Sequence, residues 1–215
     1  MKAAIFDLDG TLIDSMTMWR NLGKNFLEKR NIEMTEKIAN DMTTMSLKMS
    51  SAYLKNIVGL NGTIDDIYQE FKDIIMNFYL NEVKEKEKAF ETLKNYKEKG
   101  YAVVLGTATS DEFVEPLLER FNIKKYFDLV QTCDMVNIKK NDKEYFNKIA
   151  QKLEISPQEI FLFDDAPFAL EAAREAGIIT VGVYDHESRE YWDRIVAENK
   201  YAIKSFSEWR VWWIF

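Results

Sequence analysis

The sequence predicts an α/β protein: a doubly wound parallel sheet, with an all-helical segment inserted after the first strand. Three observations carry this expectation. Short apolar runs (Ala3-Ala4-Ile5-Phe6, Tyr101-Ala102-Val103-Val104-Leu105-Gly106, Ile160-Phe161-Leu162-Phe163 and residues 178–183) alternate with helical stretches, and strands joined by helices must run parallel under a cover on both faces. Residues 15–81, in contrast, read almost wholly as helix with no strand signal. Finally, Asp7 and Asp9, Thr107, and Asp164 and Asp165 each lie just beyond an apolar run, so a parallel sheet brings them to one edge although they are distant in sequence.

Taken in order, Asp7 and Asp9 follow the first strand, and Gly10 turns the chain. In the segment 15–81, Trp19, Leu22, Phe26 and Leu27 fall at helical spacing. Met42, Met45, Met49, Tyr53 and Ile57 form a second helical stripe, read as core, with Thr43, Thr44 and Ser46 as polar neighbours able to face a small molecule. Asn61-Gly62 is a break, and Thr63 followed by Asp65 and Asp66 reads as a helix start. Beyond Glu82 strands and helices alternate: a helix over 87–98 stopped by Gly100, the strand 101–106, and a helix to about Phe121. A short strand near 128–131, a helix over 142–153 and a capping-box turn at Ser156-Pro157-Gln158-Glu159 follow. The strand 160–163, a helix over 167–176 stopped by Gly177, the strand 178–183, and a last helix and short strand lead to Phe206. The aromatic end Trp209-Arg210-Val211-Trp212-Trp213-Ile214-Phe215 is expected to pack on the core or on a partner chain.

A chain of 215 residues holds one large domain or a core with a smaller insert, and 47% hydrophobic with 30% charged residues is the composition of a soluble globular protein. The expected boundaries are a core of 1–14 with 82–215 and an insert of 15–81. No apolar run is long enough to cross a bilayer and no signal-like segment opens the chain, so the expectation is a cytoplasmic protein with no membrane partner. A net charge of −7 argues against nucleic acid as a partner, because the field of the protein repels a phosphate backbone. One cysteine, Cys133, and one histidine, His186, leave no disulfide and no Cys/His zinc site. A catalytic triad would need His186, which lies in a polar stretch reading as an exposed loop. Chemistry therefore falls to carboxylates, hydroxyls and lysines.

Residues i and i+2 of a strand share a face, so Asp7 and the backbone leading to Asp9 converge at the strand's carboxyl end. Carboxylates held this close repel one another unless a cation lies between them, and ligation by oxygen alone favours a hard cation such as Mg2+. Four such carboxylates with a metal, a hydroxyl and a lysine can transfer a phosphoryl group through a covalent aspartyl phosphate.

Phe6-Asp7-Leu8-Asp9-Gly10-Thr11 resembles the first motif of the haloacid dehalogenase superfamily, Thr107 its second, and Phe163-Asp164-Asp165 with Ala172-Ala173 and Ala176-Gly177 its fourth. The likeness is to the branch of phosphoglycolate phosphatases and beta-phosphoglucomutases, with a helical cap after the first strand. It implies a Rossmann-like core and a phosphatase acting on a small phosphomonoester such as a sugar phosphate, phosphoglycolate or a nucleotide. It further implies Asp7 as nucleophile and Asp9 as proton donor and later base, with Thr107, Ala108 and a lysine holding the phosphoryl oxygens. Mg2+ would be bound by Asp7, the Asp9 carbonyl, Asp164 and Asp165. The third motif departs from the pattern Lys-Pro-x-Pro-Asp-x-Phe. Here Lys140-Asn141-Asp142-Lys143-Glu144-Tyr145-Phe146 keeps the lysine and phenylalanine, replaces the aspartate by Glu144 and lacks both prolines, which predicts a less rigid loop. Counting back from Phe146 selects Lys140, with Lys139 as its neighbouring alternative.

Within this resemblance the dehalogenases lack the second acid of the first motif, so Asp9 favours phosphate chemistry. Trp19 stands where the mutase branch has a histidine, and Thr11 where it usually has a valine, both in favour of a phosphatase over a mutase. A non-catalytic phosphate-responsive switch would use similar residues but has no helical insert. Trp19 is expected near a hinge at 14–16 and 80–82, facing the cleft as a gate on substrate size, with packing inside the insert as the competing reading. The expected assembly is a monomer or weak homodimer.

Overall fold

The computed structural model describes residues 2–42 and 45–209. The chain divides into two compact units, Met1–Met16 with Val83–Phe215 and, separately, Thr17–Glu82.

The first unit is built on six strands: β1 (Ala3–Phe6), β2 (Ala102–Thr107), β3 (Leu129–Thr132), β4 (Ile160–Asp164), β5 (Ile179–Val183) and β6 (Tyr201–Ile203). Helices α1 (Met16–Glu28), α2 (Glu36–Met42), α3 (Leu47–Tyr53) and α4 (Ile64–Asn81) follow β1 in the chain. Then come α5 (Ala89–Glu98), α6 (Asp111–Arg120), α7 (Cys133–Val136), α8 (Lys143–Leu153), α9 (Pro167–Glu175) and α10 (Trp192–Glu198). The sheet order is β3-β2-β1-β4-β5-β6, parallel throughout, with Phe6 in register with Leu105 on one side and Phe163 on the other. The order reverses between β1 and β4, and at such a switch point the connections leave to opposite faces and open a crevice at the strands' carboxyl ends.

Both faces of the sheet are buried, which explains why β1, β2 and β4 read as continuous apolar runs. On one face Phe6 and Phe163 stack at 4.7 Å, and Tyr96 of α5, Phe206 and Trp209 close around them. Trp209 is the one member of the C-terminal aromatic stretch among the described residues. It packs on the core, with its indole N–H donated to the Tyr96 hydroxyl at 3.0 Å. Residues 210–215 lie outside the described residues. On the other face Ile5, Val104 and Leu162 meet Phe146 and Ile149 of α8, Leu170 of α9 and Ile195 of α10. Gly182 in β5 allows that last approach, because a Cβ there would stand 2.2 Å from the Ile195 side chain.

Among its described residues, the second unit has helices as its only regular elements, joined by turns. Phe26 of α1 stacks on Phe71 of α4 at 4.1 Å, with Leu22, Leu27, Ile67 and Ile75 buried around them and the Arg30 guanidinium over the Phe26 ring. Thr63 starts α4 as expected: its hydroxyl accepts from Asp66 N while the Asp66 carboxylate accepts from Thr63 N.

Two local expectations are corrected. The methionine stripe is not one core-facing helix: α2 ends at Met42 and Ser46 caps a new helix, which resets the phase. Met49 and Ile57 are therefore more than half exposed, and Ser50, Ser51 and Leu54 are buried in their place. Thr43 and Thr44, two of the polar neighbours suggested for a ligand, lie outside the described residues. The Ser156 capping box does not form either, because the Ser156 hydroxyl bonds the Gln158 side chain and the segment Pro157–Glu159 makes a single 3-10 turn.

Candidate active site

The ladder of β1 extends one residue past the strand, with Asp7 N donating to Phe163 O at 3.0 Å, so the Asp7 side chain is set by the sheet itself. The chain then winds around the buried Leu8, whose carbonyl accepts from the amides of Thr11, Leu12 and Ile13. Gly10 makes this turn possible twice over. Its φ of +81° belongs to the left-handed region, and a Cβ there would stand 2.5 Å from the Asp165 carboxylate.

Asp7, Asp164 and Asp165 come together at the carboxyl ends of β1 and β4: all three are buried, and one oxygen of each lies within 4.8 Å of the others. The Lys140 ammonium is buried among them, bonded to Asp7 Oδ1 and 2.7 Å from Asp164 Oδ2. Lys139, the sequence alternative, is exposed. Asp164 Oδ1 accepts from Ala166 N at 2.9 Å, and the buried Asp164 Oδ2 has the Lys140 ammonium as its partner. Asp165 accepts from the Thr11 hydroxyl at 3.2 Å and from the Ser188 hydroxyl at 3.3 Å.

The electrostatics follow from this crowding. Burial, opposed by Lys140, pushes the Asp7 carboxyl up to about 7. Burial, reinforced by Asp164 and Asp7, raises Asp165 as well. Burial works against the Lys140 charge, but Asp164 and Asp7 outweigh it and hold the ammonium above its ordinary range. Lys140 thus pairs with two of the three carboxylates, Asp7 and Asp164. Donors that are all oxygen, three buried carboxylates with an oxygen each within 4.8 Å of the others, and an excess of acids over the ammonium paired with them fit a hard divalent cation. Asp7, Asp164 and Asp165 are the side chains that could hold it.

Asp9, expected among the metal ligands, is not one of these three carboxylates, although its charge still reaches Asp7. Its carboxylate accepts from Ser15 Oγ on one oxygen and from Thr109 Oγ1 on the other. Thr107 ends β2, buried, with its hydroxyl accepting from Thr109 N at 3.1 Å, and Ala108 follows it, exposed. The loop lacking the two prolines is anchored in another way. The Tyr145 hydroxyl donates to Gln131 O at 2.6 Å and Gln131 Nε2 donates to Tyr145 O at 2.8 Å, so the first turn of α8, which follows Lys140, is tied to β3. Glu144, the replacement for the third-motif aspartate, is exposed and bonds Asn147. Trp19 lies half-buried in α1 and donates its indole N–H to the Tyr79 hydroxyl of α4 at 3.1 Å. Ser15, Thr109, Lys86, Asp185 and Ser188 carry no signal in the sequence. Lys86 sits in an alternating Lys/Glu run that reads as a solvated face, and the others are single polar residues in loops.

A Rossmann-like sheet carrying a carboxylate cluster and a lysine at its switch point defines an α/β enzyme that works on carboxylate chemistry. The sequence pattern of the haloacid dehalogenase-like hydrolases matches residues 4–183, and the chain belongs to that family and is a hydrolytic enzyme. It is 24% identical to the phosphorylated carbohydrates phosphatase of Thermotoga maritima over 83% of this chain and 82% of that protein. It is 30% identical to the phosphoglycolate phosphatase of Shigella boydii over 85% of this chain and 81% of that protein. Among solved structures it is similar to the beta-phosphoglucomutase of Clostridium difficile, with a TM-score of 0.72 and 19% identity over 100% of this chain and 95% of that one, a likeness of fold.

Proposed function

We propose that the protein is a cytoplasmic, Mg2+-dependent phosphatase that hydrolyses a small phosphomonoester (a sugar phosphate, phosphoglycolate or a nucleotide) through a phosphorylated Asp7. The observation that carries this reading is the burial of Asp7 against Lys140, Asp164 and Asp165 at the switch point of the sheet. Asp7 attacks phosphorus, forming its own O–P bond while the ester oxygen leaves with a proton from Asp9. Asp9, now ionised, takes a proton from water. That water oxygen attacks the phosphorylated Asp7 at phosphorus, releasing inorganic phosphate and restoring the carboxylate. Lys140, the Thr107 hydroxyl and the Ala108 N–H hold the phosphoryl oxygens and stabilise charge that develops on them. Asp7, the Asp9 carbonyl, Asp164 and Asp165 would hold Mg2+, which would screen the repulsion between the anionic nucleophile and the anionic phosphate. Ser15 and Thr109 keep Asp9 in place between the two steps.

The helical unit Thr17–Glu82 serves as the cap that selects the substrate, with Trp19 as a limit on its size. Comparing Trp19→Ala on small and bulky phosphate esters separates the roles. A relative gain for bulky esters supports the gate, and an equal loss for all, with lowered stability, assigns Trp19 to packing against Tyr79 alone. The function itself is tested by phosphate release from a panel of sugar phosphates, phosphoglycolate and nucleoside monophosphates. Release is expected with Mg2+ and lost in excess EDTA; release undiminished by chelation contradicts the metal.

A further inference from the structure

The two hydroxyls that hold Asp165 come from different loops, Thr11 from the turn after β1 and Ser188 from the segment after β5. Both loops are fastened to one ammonium. Lys86 Nζ donates to Gly10 O at 2.6 Å, to Tyr184 O at 2.7 Å and to Asp185 Oδ2 at 2.9 Å, three acceptors for its three protons. Gly10 O belongs to the peptide that leads into Thr11. Asp185 is buried and in turn organises the second loop: its Oδ1 accepts from Glu187 N at 2.9 Å and its carbonyl from Ser188 N at 3.1 Å. The backbone of Lys86 is itself fixed. Lys86 N donates to Leu12 O at 3.0 Å and Asp14 N to Lys84 O at 2.9 Å, so residues 12–14 and 84–86 form a short antiparallel ribbon beside the turn.

We propose that Lys86 is a positioning residue for Asp165: by pinning the Gly10 carbonyl and the Asp185 loop together, it sets both hydroxyls that orient this carboxylate and so tunes the affinity of the divalent site. Asp165 stands against Gly10 with no room to spare, so a small displacement of either loop moves the carboxylate. Lys86 touches neither the other site carboxylates nor Lys140 among its hydrogen bonds, and its effect passes through Asp165.

The inference rests on the proposed cation site, and Mn2+ binding, read as loss of the free-ion paramagnetic resonance signal, tests the two separately. Wild-type protein is expected to bind Mn2+ and Asp165→Asn to lose it; a wild type that binds none overturns the cation site and the role of Lys86 with it. Given wild-type binding, Lys86→Met, which keeps the apolar stem and removes the three donors, is expected to weaken Mn2+ by about 10- to 100-fold, as loss of a group that orients a ligand does. Lys97→Met removes an exposed ion pair with Asp128 that shares none of the hydrogen bonds of Lys86 or Asp165, and controls for general destabilisation. Its Mn2+ affinity is expected to match wild type. Asp185→Asn, nearly isosteric, is measured beside Lys86→Met so that a folding failure of the latter still leaves a reading, and it is expected to weaken Mn2+ in the same direction. Wild-type affinity in whichever of these two variants folds overturns the proposal.

Discussion

Asp7 and Asp9 are two residues apart yet sit in opposite surroundings. Asp7 is buried against a lysine and two further carboxylates, and Asp9 is held by two hydroxyls. Replacing each by asparagine should therefore fail differently. Asp7→Asn is expected to abolish turnover altogether. Asp9→Asn is expected to lose about 10²- to 10⁴-fold in rate while still accepting a phosphoryl group from an ester with a good leaving group, as measured by rapid-quench release of the alcohol. Equal losses in both steps for Asp9→Asn would contradict its role as acid and base. Gly10→Ala should also inactivate, because the new methyl would strike Asp165 and the left-handed backbone is strained for alanine; a fully active Gly10→Ala would show that Asp165 tolerates displacement. Much at this level was legible in the sequence. Asp9 was read from the same motif as Asp7 but is not in the carboxylate group, whereas Asp7, Asp164 and Asp165 follow apolar runs, Lys140 falls in a countable motif, and the convergence of these four was legible. Lys86 was not, since its alternating Lys/Glu surroundings say nothing about a side chain that turns inward to a glycine carbonyl.

The sheet strands were legible for a physical reason: a strand buried on both faces reads as a continuous apolar run, as β1 does throughout and β2 and β4 do up to their last residues, Thr107 and Asp164. The helices after β1 were less so. The expected methionine stripe fails because Ser46 starts a new helix and shifts which residues face inward, a break invisible to a period carried straight through it. The missing prolines before α8 were visible, but their replacement was not, since the Tyr145–Gln131 pairing joins segments that only the fold brings together. This pairing predicts that Tyr145→Phe leaves a buried carbonyl without its donor. The expected loss is about 1 to 3 kcal/mol of stability in urea unfolding, together with weakened phosphate binding through Lys140. Unchanged stability would mean that the loop is anchored elsewhere. At the surface of the helical unit, Thr63→Ala should cost about 1 kcal/mol by removing a reciprocal cap, read in the same unfolding assay.

For the molecule as a whole, the buried acids make stability depend on pH and on the cation together. Asp7, near 7 in the folded protein and 3.8 when exposed, holds its proton longer folded than unfolded, and Asp165 shifts the same way. The folded state then binds more protons than the unfolded state over that interval, so in the metal-free protein Asp7 contributes a loss of stability as pH rises from about 4 to about 7, and Asp165 adds a loss in the same direction. Lys140, raised in the folded state, contributes stability that is lost only above the ordinary lysine range, outside this window. A divalent cation competes with the protons, so Mg2+ should raise Tm more at about pH 8 than at about pH 5. An equal rise at both, or a larger one in acid, would contradict the cation at these carboxylates. The central claim is that Asp7 carries the phosphoryl group, and the most direct measurement traps it there. Asp9→Asn protein is mixed with Mg2+ and a phosphate ester bearing a good leaving group, treated with borohydride and digested for mass spectrometry. Reduction of residue 7 to homoserine is expected, only when substrate is present and never in Asp7→Asn. Turnover with residue 7 recovered as aspartate throughout, or modification of a different residue, would contradict it.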